Sequence, residues 1–155
     1  MEFGEIEEVV KNIDNLYIEE RKILRNFIGE LKKINIDYRL LKSLKYNNEN
    51  KYFFDFNENL KNIKVYIIRW DKYVNPHDHH ETGCIFKLLY GKLQSKLYTK
   101  TLAYKDTIIY HENQCDYIDD DIGYHDMENI NCFNYSYSIH IYSKNYVPKY
   151  HNKHI

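Results

Sequence analysis

The chain has 155 residues, 22 Lys and Arg against 23 Asp and Glu, a formal charge of −1, and 29% charged residues. That near-neutral balance, with a pI near 6.7, removes the electrostatic motive for a nucleic-acid partner. No apolar run approaches the length of a membrane span, and five glycines with two prolines are too few for a disordered or fibrous chain.

The N-terminal part predicts helices. Ile6, Val9, Val10, Ile13, Leu16 and Tyr17 recur at helical spacing, as do Leu24, Phe27, Ile28 and Leu31 after a charged interval. A short third helix is expected from Asp37 to Lys45, and the Asn-rich stretch from Tyr46 to Asn50 reads as a turn. The acidic start, Met1 to Glu5, lacks the apolar core of a secretory signal, which predicts a cytoplasmic protein.

From Lys51 the period changes to two. Lys51 to Phe56, Ile63 to Trp70, Cys84 to Tyr90, Lys92 to Thr99, Thr107 to Tyr110 and Asn134 to Ser143 are rich in β-branched and aromatic residues. Gly91 separates two of these runs and predicts a hairpin turn. Strands without interleaved helices predict a mainly β fold, an antiparallel barrel or jelly roll with two to three N-terminal helices on one side. A single domain over 1–155 is expected: a helical part over 1–48, a β-barrel over 49–146 and a polar tail over 147–155. His151 and His154 in that tail read as solvated. Cys84, Cys115 and Cys132 form an odd set without paired spacing, which predicts free thiols. A monomer is expected. Asn134-Tyr135-Ser136 matches a glycosylation acceptor by coincidence if the chain takes no secretory route.

Three groups of residues point to chemistry. His77 and His79 share one face if they lie on a strand. With His125, from a distant segment, they make a candidate three-imidazole metal site with open coordination positions. The alternative is a His-x-His pair on the surface or in a satisfied core. Cys84 follows His79 by five residues. A turn at Thr82-Gly83 lets it begin a return strand facing the same interior, although a small buried hydrophobe is the plainer reading. Ser138, His140 and Tyr142 alternate with isoleucines and so share a face. Buried together they must satisfy one another, as in a Ser–His–Tyr relay. On a half-exposed strand they would be a solvated stripe.

Together these residues resemble the cysteine dioxygenase type I family of the cupin superfamily. The first cupin motif is seen in His77-x-His79, four residues, Cys84, six residues and Gly91. A cysteine at the usual acidic position marks the animal-type members. The second motif is His125 to Asn129. Cys84 to Leu93, Glu112 to Ile118 and Gly123 to Asn129 extend the similarity, with Trp70 before the metal loop and Ser138-x-His140-x-Tyr142 after it. The resemblance covers about residues 52 to 146.

The resemblance implies a cupin-type jelly-roll barrel and a non-haem Fe(II) site held by His77, His79 and His125. It implies oxidation of a small thiol, cysteine or cysteine-like, by O2 to a sulfinic acid. Tyr142, oriented by His140 and Ser138, would act near the bound reactants, and Cys84 with Tyr142 would form the family's thioether bond. Small-molecule thiol and O2 are the expected partners, with no nucleic acid and no membrane. Two departures stand out. Phe54 falls where the family has a carboxylate-binding arginine, and Arg69 is expected to point out of the barrel because Trp70 points in. The chain also ends 13 residues after Tyr142, with Lys149 near the place of another pocket cysteine, so one end of the cavity is expected to be more open. The competing reading is a non-catalytic metal-binding cupin, acting as a sensor or interaction module.

Overall fold

The computed structural model describes residues 1–20, 23–71, 74–77, 83–119, 124–131 and 134–144, with residues 18–20 and 74–77 described for their backbone. Helix α1 spans Phe3–Glu20. A 3-10 turn, Leu24–Phe27, runs into the single-turn α2, Ile28–Leu31. Helix α3, Tyr38–Ser43, starts where the Asp37 carboxylate accepts the Arg39 amide at 3.0 Å, because the first amides of a helix lack intrahelical acceptors.

Nine strands follow among the described residues: β1 Lys51–Phe53, β2 Ile63–Trp70, β3 Val74–His77, β4 Cys84–Tyr90, β5 Leu93–Tyr98, β6 Tyr104–Tyr110, β7 Cys115–Ile118, β8 Tyr124–Asn129 and β9 Ser136–Ser143. They form two sheets, β1-β2-β9-β4-β7 and β3-β8-β5-β6, and every pairing is antiparallel.

Strand alternation gives the larger sheet two different faces. Ile63, Val65, Ile67, Ile85, Ile139 and Ile141 turn outward and pack with Ile6, Val10, Ile13, Leu24, Leu31 and Leu41 of the helical layer. Trp70, Phe86 and Leu88 turn inward and meet Leu93, Tyr110 and Met127 of the smaller sheet. Each such aliphatic side chain contributes about 1.5–3 kcal/mol on burial. The mainly β architecture with helices on one side is therefore as expected.

Two polar ties fix the helical layer. The buried Asp14 carboxylate accepts the amides of Lys61, Asn62 and Ile63 at 3.0, 2.8 and 3.2 Å. The Lys87 ammonium donates to the carbonyls of Lys32 and Ile34 and to Asn35 Oδ1 at 3.0, 2.7 and 3.0 Å. Burial lowers the pKa of Lys87, and its three acceptors satisfy the buried donors.

Some expectations need correction. Gly91 does not close a hairpin: β4 and β5 belong to different sheets, and Gly91 carries the chain between them. Its φ of +101°, and the Ser136 side chain where a Cβ would stand, require glycine there. Strand β1 stops at Phe53 because a 3-10 turn, Asp55–Asn59, follows. Asn57 holds that turn by donating to the Phe54 and Val65 carbonyls and accepting the Val65 amide. Strands β3, β7 and β8 carry polar residues and gave no period-two signal.

Candidate functional site

The inward face of the five-stranded sheet is ordered into rows by its register. One row runs Lys51, Ile68, Ser138, Leu88; the next Phe53, Tyr66, His140, Phe86, Asp116; the third Lys64, Tyr142, Cys84, Ile118. Residues directly opposite on neighbouring strands have Cβ atoms about 5 Å apart. Cys84 and Tyr142 are such a pair, and with Tyr66 they form a small buried cluster of their own.

Gly83 prepares the position of Cys84. Its φ is +82°, and a Cβ there would run into the Tyr117 ring, so only glycine suits the entry to β4. Cys84 is 1% exposed. Burial pushes its thiol pKa well up, a hydrogen bond with Tyr142 opposes this, and the Asp116 carboxylate adds to the rise. The thiol is protonated at neutral pH in the absence of a metal.

Ser138, His140 and Tyr142 share this face, as their alternation predicts, and all three are buried there rather than solvated. Trp70 Nε1 donates to Ser138 Oγ at 2.7 Å, and Ser138 Oγ lies 2.6 Å from His140 Nε2. An indole N–H only donates, so the serine oxygen accepts from it and shares a second hydrogen bond with Nε2, whose direction goes with the imidazole tautomer. His140 Nδ1 lies 4.0 Å from Cys84 Sγ. The His140 and Tyr142 rings are parallel, with centroids 6.1 Å apart and planes at 7°. Tyr66 extends the stack, 5.5 Å from Tyr142 and 6.0 Å from His140. The polar chain therefore begins one residue earlier than the serine, at Trp70.

On the smaller sheet, His125 is buried and pairs with Leu97 of β5 on one side and His77 of β3 on the other. Ser95 Oγ donates to the Asp126 carbonyl at 3.0 Å and lies 3.2 Å from His125 Nδ1. Its oxygen therefore accepts the Nδ1 proton, which leaves the Nε2 lone pair basic, as ligation to a metal requires. Asp126 is held in turn by the Lys96 amide at 2.8 Å and the Tyr98 hydroxyl at 2.9 Å. Ser95 and Asp126 were not singled out from the sequence. Asn129 proves to be a brace: its amide donates to the Trp70 and Asn134 carbonyls, and its oxygen accepts from Ser136 Oγ.

Of the three candidate ligands, His125 is described in full, His77 by its backbone, and His79 lies outside the described residues. Cys132, Lys149, His151 and His154 also lie outside them. Among the described residues no group of three or more potential metal-binding side chains stands together.

Phe54 does not face the cavity. It lies beyond the end of β1, buried in the helix-side core against Phe3 and Phe56, and Lys51 and Phe53 hold the inward positions of that strand. Arg69 points out, as expected. Its guanidinium lies 4.7 Å from both the Tyr46 and Tyr135 rings and donates to Asn50 Oδ1 at 2.8 Å. The open cleft lined by Arg69, Tyr38, Lys42 and Tyr135 is thus on the outer side. Asp116, on the inward face of β7, accepts a short hydrogen bond from the Tyr110 hydroxyl, a pairing with no sequence signal.

The sequence model of the family described as Cysteine dioxygenase type I matches residues 23–152. Cysteine dioxygenase type 1 of Bos taurus is 38% identical over 73 residues, which are 43% of this chain and 36% of that protein. The Danio rerio protein of the same name is 34% identical over 74 residues, 43% of this chain and 37% of its own length. The match therefore spans well under half the length of these curated relatives. Among solved structures, a mutant Bacillus subtilis oxalate decarboxylase superposes with a TM-score of 0.53 at 19% identity, covering 73% of this chain and 31% of its own. A cupin-2 domain containing protein from Shewanella frigidimarina superposes with a TM-score of 0.50 at 13% identity, covering 74% and 98%. At these identities the likeness is one of fold, the cupin barrel.

Proposed function

This chain belongs to the cysteine dioxygenase type I family, and from that membership we propose that it is a thiol dioxygenase converting a small thiol and O2 to a sulfinic acid. The reaction balances without an added reductant: RSH + O2 gives RSO2H, sulfur loses four electrons and dioxygen accepts four. One observation carries the proposal. Cys84 and Tyr142 are cross-strand partners in a buried cluster, beside a histidine held by Ser138, which Trp70 holds in turn. A site that only stored a metal has no need of this arrangement.

The donor set fits a resident metal. His77, His79 and His125 would hold Fe(II), and the Ser95 contact supports the tautomer that His125 needs. When bound, the iron would lower the pKa of a substrate thiol and bring it together with dioxygen. The protein's own side chains would do the rest. Tyr142, between Lys64 and Cys84 in its row, would offer its hydroxyl to the reactants. His140 would keep Nδ1 toward that cluster, and Ser138 with Trp70 would hold the imidazole in place. Phe86, Trp70 and Leu88 would exclude water from the adjoining space. Cys84 and Tyr142 are also the pair we assign to the thioether bond: the thiol S–H and a ring C–H beside the phenol oxygen would be lost as the C–S bond forms, and O2 would take the two electrons and two protons to give H2O2.

Oxygen uptake by anaerobically Fe(II)-loaded protein tests the proposal, with L-cysteine, cysteamine, 3-mercaptopropionate and an N-terminal cysteine peptide as substrates. Sulfinate formed in step with oxygen consumed is the expected result. His125→Ala should lose iron and activity together while keeping its far-UV circular dichroism. Stoichiometric iron without uptake on any of the four thiols would favour a non-catalytic metal-binding module. Full activity in His125→Ala would overturn the ligand assignment.

A further inference from the structure

Tyr66 belongs to no motif, yet it completes the surroundings of Tyr142. It is the direct cross-strand partner of His140 and the diagonal neighbour of Tyr142, and it is 3% exposed. The Tyr66, His140 and Tyr142 rings have centroids 5.5, 6.0 and 6.1 Å apart, almost an equilateral triangle, and their planes lie within 11° of one another. Two corners of that triangle are braced from outside. His140 meets Ser138 Oγ at Nε2 and packs parallel to Phe86 at 5.3 Å. Tyr66 is flanked from β1 by the Phe53 ring at 5.0 Å and by the Lys51 ammonium, 5.1 Å from its centroid. The third corner, Tyr142, hydrogen-bonds with the Cys84 thiol and shares a buried cluster with it and Tyr66.

We infer that Tyr66 is a positioning residue for Tyr142: its ring, braced by Phe53 and Lys51, holds the Tyr142 phenol against Cys84 and toward the reactants. The consequence for turnover rests on the thiol dioxygenase reading of the same cavity, whereas the placement of the phenol does not. A tyrosine hydroxyl stands at the far end of a long rigid side chain. A tilt of about 10–20° at its root therefore moves the hydroxyl by more than about 0.5 Å, the tolerance of a positioned group. Offset-parallel rings are a preferred aromatic arrangement, and close packing on one face leaves no room for the neighbouring ring to sweep round. The part of Tyr66 that acts is thus its ring. Phenylalanine keeps that ring, while leucine leaves the Tyr142 face uncovered.

Two measurements test the inference. The first needs no metal. Iron-free protein is labelled with carbon-13 at the tyrosine ε-carbons, and the Tyr142 signals are identified by their loss in Tyr142→Phe. Two separate ε-carbon resonances, the mark of a ring that does not turn freely, are expected in wild type and in Tyr66→Phe, and a single averaged one in Tyr66→Leu. The second measures turnover of Fe(II)-loaded protein on the best of the four thiols. In Tyr66→Leu kcat should fall about tenfold to a hundredfold, the scale for a misplaced reacting group, with KM and bound iron near wild type, and Tyr66→Phe should stay within about twofold. Iron lost in step with kcat would mean that Tyr66 supports the barrel instead. An averaged resonance in wild type, separate resonances in all three proteins, or an equal loss of kcat in Tyr66→Phe would overturn the inference. If wild type consumes no oxygen on any thiol while the resonances divide as expected, Tyr66 stands as the holder of Tyr142 and the dioxygenase reading falls. Should Tyr66→Leu not fold, Tyr66→Met, whose flexible side chain fills irregular gaps, decides.

Discussion

Trp70, Ser138 and His140 show how one side chain is held by neighbours that lie far apart in sequence. The indole can only donate, so the Ser138 oxygen is its acceptor, and the same oxygen is the partner of His140 Nε2. Trp70→Phe keeps an aromatic ring in the core and removes that donor. Turnover should drop about tenfold, the worth of one oriented hydrogen bond, while bound iron stays near wild type. An equal loss of iron and turnover would mean that Trp70 acts on the fold instead. At this scale the alternation of Ser138, His140 and Tyr142 was readable, because a strand's period of two puts them on one face whatever surrounds it. The tryptophan's part in the chain was not readable, since it depends on β2 lying beside β9. The same holds for Ser95 behind His125 and for Asp116 against Tyr110.

Between elements, the decisive contacts are polar ties at the joints. Asp14 on α1 accepts three consecutive amides at the start of β2, which would otherwise be amides without acceptors beneath a helix. Asp14→Ala should destabilise the protein by about 3 kcal/mol, the scale for losing buried hydrogen bonds to a charged acceptor. A lower urea midpoint at unchanged slope is the expected signature, and a midpoint equal to wild type would show that water replaces the carboxylate. The sequence marked α1, β2 and β4 because their apolar residues repeat with one clear period. It missed β7 and β8 because Asp116, His125, Asp126 and Glu128 interrupt the hydrophobic pattern. Asp116, His125 and Asp126 serve the barrel interior and its supports, so periodicity conceals these two strands while it reveals β4 and β9. Gly91 signalled a turn correctly, but whether the next strand pairs with the last or joins the opposite sheet depends on partners elsewhere in the chain.

Taken whole, the molecule withdraws several thiols and phenols from water, fully or in part. Burial raises the pKa of Cys84, Cys115, Tyr46 and Tyr110 alike. Each therefore keeps its proton in the folded state to higher pH than in the unfolded chain. The stability from this source is fully present below the unfolded values, 9.0 for a thiol and 10.0 for a phenol, and is lost as pH rises beyond them. The thermal midpoint should hold between pH 7 and 8.5 and then fall steadily. In Cys84→Ala the fall above pH 9 should be shallower. A slope unchanged by that substitution would show that Cys84 is not desolvated as described.

The sequence by itself determined the helical layer, the change to a β architecture, the family resemblance and the shared face of Ser138, His140 and Tyr142. All of these follow from local periods or short motifs, which survive without knowledge of neighbours. Only the tertiary structure decided which strands adjoin. That put Cys84 opposite Tyr142, turned Phe54 into the helix-side core and gave Trp70 its serine. Such relations are set by sheet order and register, which arise from the packing of two sheets around one core and are written in no single stretch of chain.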